Sequence, residues 1–371
     1  MQKNLIFLGL VSAFALFSRP ALAAEQAKSA DAFVDSVGVT THIPYFDTAY
    51  GSFDTVVKPY LQELGVRHIR DGGTIDSTTA ARMNALAAIG IKGTLLLEPS
   101  SASADAISVK NFIIAVESVN EPDYGENLNF VYKGQNFNQG GAAAFTNDLK
   151  NAIRNSSDAQ IRALPILPPS LVYTASHQTF RNQMGADFGD FGNMHSYTGN
   201  GLPGSVLAAR MSEAKIVTGA SKSVISTETG FVTIPNTSNT IRVSENVQKK
   251  YVLRNLLAHF NAGVVRTFNY ELLDTVSTWN DKLDGSQENC HWGLIAERDN
   301  QAVINSNGGV RRLEKKPAFD ALKNLLAQLK DPGSAFSPGS LRYSIGGANT
   351  AVIRKTLLQK RDGKFFLVMW Q

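Results

Sequence analysis

A (β/α)8 TIM barrel with a small C-terminal β appendage is the fold class this sequence predicts, on three observations. Short β-branched runs recur eight times, helical patterns separate most of them, and the texture of the chain changes at Pro332. Alternating strand and helix signals imply a parallel sheet, and eight repeats imply closure into a barrel rather than an open, doubly wound sheet.

The strand-like runs are Val37 to Thr41, Val66 to Arg70, Gly93 to Leu97, Ile113 to Ser118, Ala163 to Ile166, Gly192 to His195, Val224 to Thr227 and Val264 to Phe268. Apolar residues three and four apart mark amphipathic helices at Phe53 to Leu64, Ser77 to Ile89, Ala142 to Ile153, Val247 to Phe260 and Ala318 to Leu329. Gly65 and Gly90 follow two of these helices where left-handed C-caps belong. Pro317 opens the last one, where a missing N–H costs nothing. The third and fifth helices are the weakest, since Ser100 to Asn111 leaves room for only a turn or two.

Beyond the barrel, assigned to residues 24–331, the clusters Asp331-Pro332-Gly333-Ser334 and Ser337-Pro338-Gly339-Ser340 read as linker and turns. Strand alternation follows at Leu341 to Ser344, Thr350 to Gln359 and Lys364 to Trp370, with a hairpin turn at Arg361-Asp362-Gly363-Lys364. This appendage, residues 332–371, is a thin sheet short of a complete β-sandwich, and it must pack on the barrel. The ending Met369-Trp370-Gln371 reads either as an edge that finishes there or as a chain that stops short.

At the other end, Lys3, the apolar run Leu5 to Phe17 and the small-residue site Ala21-Leu22-Ala23 have the form of a secretory signal over residues 1–23. A secreted or periplasmic location follows. Arg19 and Pro20 interrupt the run before the ~20 residues of a spanning helix, so no membrane span is expected. Cys290 is the single cysteine, which excludes an internal disulfide and leaves stability to a large buried core. The net charge of +4 is spread over 36 basic and 32 acidic residues. Arg311-Arg312, Lys315-Lys316 and Arg354 to Arg361 therefore read as solvated surface rather than a nucleic-acid footprint. A monomer is expected.

Two glutamates stand out. Glu121, in Val119-Asn120-Glu121-Pro122-Asp123, follows the fourth run, and Glu228, in Ser226-Thr227-Glu228-Thr229-Gly230, ends the seventh. Strands four and seven lie on opposite sides of a barrel mouth, the face that carries barrel chemistry. Two carboxylates flanking that mouth are what a retaining glycosidase needs, one to protonate the leaving oxygen and one to attack the sugar carbon.

Asn120-Glu121-Pro122 together with Glu228 resembles clan A of the glycoside hydrolases, the cellulase-like superfamily of retaining barrel enzymes. The likeness extends over roughly residues 36 to 330. Gly65-Val66-Arg67-His68-Ile69-Arg70 is similar to that clan's second strand with its terminal arginine, His195-Ser196-Tyr197 to its sixth strand, and Lys316-Pro317-Ala318-Phe319 to the opening of its eighth helix. The resemblance implies that Glu121 is the general acid/base and Glu228 the nucleophile, with their carboxyl groups ~5–5.5 Å apart. It also implies that Asn120 binds the sugar 2-hydroxyl, that Arg70 keeps Glu228 ionised, and that Tyr197 or His195 orients it. Repulsion from Glu228 should raise the Glu121 pKa.

The clan's strand-eight tryptophan is replaced by Phe268 or Tyr270, with Trp292 in the following loop as a substitute platform. Glu117, inside the fourth strand, is expected to pair with Arg67 or Lys92, or else to be a third carboxyl at the site. His42 and His291 are further cleft candidates. The carbohydrate-binding set is then Arg70, Asn120, His195, Tyr197, Tyr270, Trp292 and His42. The six histidines lack metal-ligand spacing, Asp281-Lys282-Leu283-Asp284-Gly285 lacks that of a calcium loop, and no cofactor is implied. Tyr124, Phe130, Tyr132 and Phe137 are either sugar platforms or loop staples. The alternatives are a non-catalytic carbohydrate-binding protein on a degenerate barrel, and a serine hydrolase, which lacks its Gly-x-Ser-x-Gly elbow here.

Overall fold

The computed structural model describes residues 24–125, 129–185, 187–235, 241–276, 288–299, 301–306, 308–347 and 349–371. The leader expected over residues 1–23 and the turn at 281–285 lie outside the described residues.

Eight parallel strands form the barrel: β1 (Val37–Thr40), β2 (His68–Gly72), β3 (Lys92–Leu96), β4 (Ile113–Glu117), β5 (Ile166–Leu167), β6 (Gly192–His195), β7 (Val224–Thr229) and β8 (Thr267–Asn269). Their hydrogen-bonded order is β6-β7-β8-β1-β2-β3-β4-β5. Between β5 and β6 the gap is bridged by the Asp190 amide donating to Ile166 O at 2.9 Å and by Asn193 Nδ2 donating to Pro168 O at 2.9 Å.

Each strand is followed by a helix: α1 (Lys58–Leu64), α2 (Ser77–Ala88), α3 (Ala102–Ser108), α4 (Gly141–Arg154), α5 (Thr174–Met184), α6 (Leu207–Thr218), α7 (Glu245–Ala262) and α8 (Pro317–Leu329). Helix α1 ends at Gly65 with φ +79°, a conformation glycine adopts without steric cost. α3 is two turns long, as its short segment allows.

Outward-facing strand residues such as Val39, Ile69, Leu95 and Val116 join Leu61, Leu86, Leu149, Leu256 and Phe319 of the helices in the main core. Inside the barrel a separate cluster forms from Ala115, Leu167, Ile225 and Phe268. Phe268 fills the interior beside Gly38, where an added Cβ would stand 2.4 Å from its ring. It is therefore no sugar platform, because burial among four strands removes it from the mouth.

After β8 comes an antiparallel hairpin, β9 (Ile295–Glu297) and β10 (Leu313–Lys315). The C-terminal region contributes β11 (Arg354–Gln359) and β12 (Phe365–Trp370), joined through Gly363 at φ +86°. Its third strand is Lys28–Ser29, which pairs in parallel with β11. The strand expected at Leu341 to Ser344 is reduced to Ser340–Leu341 and pairs instead with Glu25–Gln26. The appended sheet thus combines both ends of the described chain, and Leu358 joins it to the main core. Lys28 Nζ donates to Phe260 O at 3.0 Å and Asn261 O at 3.2 Å, a cation at the C-terminal end of α7.

Two charges were misread from sequence as solvated surface. Lys316 is 1% exposed and bonds Asp274 Oδ1 at 2.8 Å. The Arg311 side chain is 12% exposed and bonds the fully buried Glu297 at 2.6 Å.

Candidate active site

Strand alternation sends every second side chain into the barrel. Ala115 points inward, so Glu117, two residues on, does too, and it is fully buried. A carboxylate there needs a cation. Arg70, on β2, supplies it through Nε to Oε2 at 2.6 Å and Nη2 to Oε1 at 3.0 Å. Asn193 Nδ2 adds a donor to Oε1 at 3.0 Å. The expected partners are otherwise engaged: Arg67 bonds Asp31, and Lys92 bonds the Asn111 carbonyl. Arg67 fails because it has the outward parity of Ile69, and Lys92 because it starts β3, four residues before Leu96, the residue in register with Glu117.

Arg70 also donates to Glu228 Oε1 through Nη1 and to Asn120 Oδ1 through Nη2, the latter at 2.7 Å. Alternation alone would leave Glu228 facing outward, since Ile225 and Thr227 face in, and Thr227 Oγ1 donates to Asn193 Oδ1 at 2.6 Å. A register shift in β7 between Ser226 and Thr229 turns Glu228 toward the mouth, and β6 shifts beside it between Met194 and His195. Such bulges re-aim side chains.

A buried polar network sits behind these shifts. His259 Nδ1 lies 2.7 Å from Asn255 O and its Nε2 2.7 Å from Ser196 Oγ, which is 2.8 Å from Ser226 Oγ. The Nδ1 proton therefore goes to the carbonyl, Ser196 donates to Nε2, and Ser226 shares its single proton between Ser196 Oγ and Glu228 O, the latter at 3.1 Å. Burial lowers the His259 pKa to about 4, so the ring is neutral. This Ser–His pair is no hydrolase dyad. Both residues are 1% exposed, and the histidine is backed by a carbonyl instead of a carboxylate.

Glu121 stands just past β4, with φ +39°, a conformation unusual outside glycine. Its amide donates to Ser170 Oγ at 3.3 Å, and its carbonyl accepts from the Tyr124 amide at 3.1 Å. The carboxylate bonds His195 Nδ1, which also lies 3.6 Å from Glu228 Oε2. The Tyr197 hydroxyl donates to the same Glu228 oxygen at 2.7 Å. Of the two proposed orienters, then, Tyr197 serves Glu228 and His195 serves Glu121. One oxygen from each glutamate and the His195 nitrogen lie within 4.8 Å of one another.

This geometry reverses one expectation. Burial pushes the Glu121 carboxyl up, but the charge and hydrogen bond of His195 outweigh it, and the net shift is downward. For His195, burial works against protonation, while Glu228 and Glu121 together raise its pKa above the ordinary value. Glu121 and His195 form an ion pair that holds one proton between them.

Arg70, Asn120, Glu121, His195, Tyr197, Glu228, Tyr270, Trp292 and His42 line one cavity of about 720 Å³ at the barrel mouth. Tyr270 and Trp292 meet edge to face at 6.0 Å, and Trp292 meets Tyr197 at 5.1 Å. His42 stacks on Tyr45 at 4.7 Å and is backed by Glu271, 3.2 Å away and fully buried. Burial opposes charge on His42, yet Glu271 raises its pKa. The cavity lining does not include His291. Sequence reasoning missed Tyr45 and Glu271. Glu271 directly follows Tyr270, and an acid adjoining a strand-end aromatic was the available signal.

Among the described residues, one cluster has the composition of a metal site, namely Glu121, His195 and Glu228. The Arg70 guanidinium already sits on Glu228 there, and its positive charge opposes a metal ion.

No protein-family profile matches the chain, and no curated protein matches it. Solved structures do. A GH2 β-galacturonidase from Eisenbergiella tayi, bound to galacturonate, is 13% identical with a TM-score of 0.54, covering 84% of this chain and 54% of that one. A β-glucuronidase from an uncultured Clostridium species is 14% identical with a TM-score of 0.51, over 79% of this chain and 50% of that one. One from Ruminococcus gnavus, in complex with a C6-substituted uronic isofagomine, is 16% identical with a TM-score of 0.50, over 82% and 52%. This chain spans about half the length of each, and the likeness is one of fold.

Proposed function

We propose that the protein is a retaining glycoside hydrolase of the clan A type, exported by its leader and acting on a carbohydrate as a monomer without a cofactor. The observation that carries this reading is the placement of Glu121 and Glu228 around one histidine, their oxygens within 4.8 Å, in a cavity of about 720 Å³ at the barrel mouth.

Glu228 attacks the anomeric carbon, and the glycosidic C–O bond breaks. The leaving oxygen takes a proton from Glu121, and a glycosyl ester remains on Glu228. Glu121, now a carboxylate, removes a proton from water as that water attacks the anomeric carbon, and the ester opens with retention. Arg70 and Tyr197 hold the Glu228 carboxylate in place by hydrogen bonds to its two oxygens.

A general acid with a lowered pKa needs a proton source. His195 is that source: its Nδ1 proton passes to Glu121 as the glycosidic oxygen gains basicity. Esterification of Glu228 then removes one of the two negative charges that favoured protonated His195, so the pair stays deprotonated for the second step. The proton taken from water restores it.

Incubation with 2-deoxy-2-fluoroglycosyl fluorides, followed by peptide mass mapping, tests the assignment. The panel begins with glucuronosyl and galacturonosyl donors, sugars of the kind named for the structural neighbours, and extends to glucosyl, mannosyl and xylosyl donors. A glycosyl ester on Glu228 is expected. Labelling elsewhere, or sugar binding without turnover at any pH, overturns the reading.

A further inference from the structure

We propose that Tyr124 and Tyr173 form a stacking subsite for a ring on the leaving-group side of the scissile bond. The inference rests on the glycosidase reading, and it narrows the substrate to an oligosaccharide or aryl glycoside. Tyr124 is 49% exposed and Tyr173 52%, and their rings meet at 6.1 Å with an interplanar angle of 61°. The two rings touch, so they form one contiguous exposed aromatic surface rather than scattered single residues, and such a surface beside a cleft suits a ligand.

The chain invests a buried carboxylate in holding the two rings. Asp123, 4% exposed, lies between Glu121 and Tyr124, and it accepts from the Val172 amide at 3.1 Å and the Tyr173 amide at 3.0 Å. The loop after β4 is thereby tied to the loop after β5. Arg210 adds to the clamp by donating to the Val172 carbonyl at 2.6 Å. The other aromatics of the β4 loop are consumed in packing: Phe130 and Tyr132 lie 5.8 and 5.3 Å from Phe145, and Phe137 is 7% exposed.

Position assigns the ligand. The Tyr124 amide closes a turn onto the Glu121 carbonyl, so its ring stands at the cavity rim on the side of the proton donor. A group departing from the anomeric carbon leaves past that donor, while Glu228 occupies the opposite face of the sugar. A pyranose presents a C–H face to an aromatic ring and keeps its hydroxyls in solvent, which suits a half-exposed tyrosine pair.

The test compares two leaving groups on one sugar, the fastest in the donor panel. A 4-nitrophenyl glycoside carries a ring that reaches the subsite, and a glycosyl fluoride carries a single atom that does not. Tyr124→Ala and Tyr173→Ala are each expected to lower the ratio of kcat/KM for nitrophenyl over fluoride by roughly 3- to 10-fold, mostly through KM. Tyr124→Trp should restore the ratio, a result that separates stacking from loop collapse. An unchanged ratio in both alanine variants overturns the proposal. A wild-type protein that cleaves neither substrate sinks the glycosidase reading and takes this subsite with it.

Discussion

Glu117 and Arg70 form a bidentate ion pair inside the barrel, at 2.6 and 3.0 Å, with neither side chain more than 4% exposed. The same guanidinium reaches Glu228 and Asn120, so one fully desolvated cation orders three groups at the mouth. Glu117→Ala leaves that cation short of a counter-charge, and loss of one partner from a buried pair costs about 3–5 kcal/mol. Denaturant unfolding should show a destabilisation of that order. Turnover should fall as well, because Arg70 can then swing onto Glu228 alone. A loss below about 1 kcal/mol would mean that the pair is dispensable.

His195→Gln changes the pH profile more than the fold. In the intact pair, the proton is lost only as pH rises through the raised pKa of His195, so the alkaline limb of kcat/KM lies above about pH 6.5. With glutamine, the proton resides on Glu121 alone. A carboxyl beside Glu228 still titrates below the raised imidazole, and the limb should move to lower pH. An alkaline limb that stays in place would assign that ionisation to another group.

The link from His259 to Glu228 runs through Ser196 and Ser226, at 2.7, 2.8 and 3.1 Å. His259→Leu leaves the Ser196 hydroxyl without its acceptor, at a cost of about 1–3 kcal/mol. Because the network lies behind the register shift that turns Glu228 inward, kcat should drop several-fold with KM little changed. Ser226→Ala should reproduce the kinetic loss at a smaller cost in stability. Equal stability loss with no change in kcat in both variants would reduce the network to packing.

Much of the barrel could be read in sequence because alternation and helical spacing are local properties. Val37 to Thr41 and Val224 to Thr227 announce strands by composition, and Gly65 announces a helix end by its position. The mouth was legible only in part. Placing Glu121 and Glu228 on strands four and seven brings them to one cavity. Which group holds which carboxylate depends on bulges and inward register, neither of which has a composition signal. That is why Glu117 was given the wrong partner and why His195 and Tyr197 could not be told apart. Lys316 was read as surface because its carboxylate partner, Asp274, lies 42 residues away in the chain. The composite appendage was hidden for a related reason: two-residue pairings such as Lys28–Ser29 with β11 are too short for any periodicity to show.

The pair Glu297 and Arg311 offers a titration that can be isolated. Burial outweighs the opposing pull of Arg311, bonded at 2.6 Å, and leaves the Glu297 carboxyl raised to about 7. The folded state therefore binds a proton that the unfolded chain, with an ordinary glutamate near 4.5, releases. The stability contributed by that proton is fully present below about pH 4.5 and is lost as pH rises through about 7. Glu297→Gln cannot titrate and still offers Arg311 an oxygen. The stability of the variant minus that of the native protein should therefore rise steadily between pH 4.5 and pH 7. Taking the difference cancels the groups that titrate alike in both proteins, His259 and His195 among them. Denaturant midpoints measured across that range check the sign, and a difference that is flat or falls with pH would mean that Glu297 is ionised throughout.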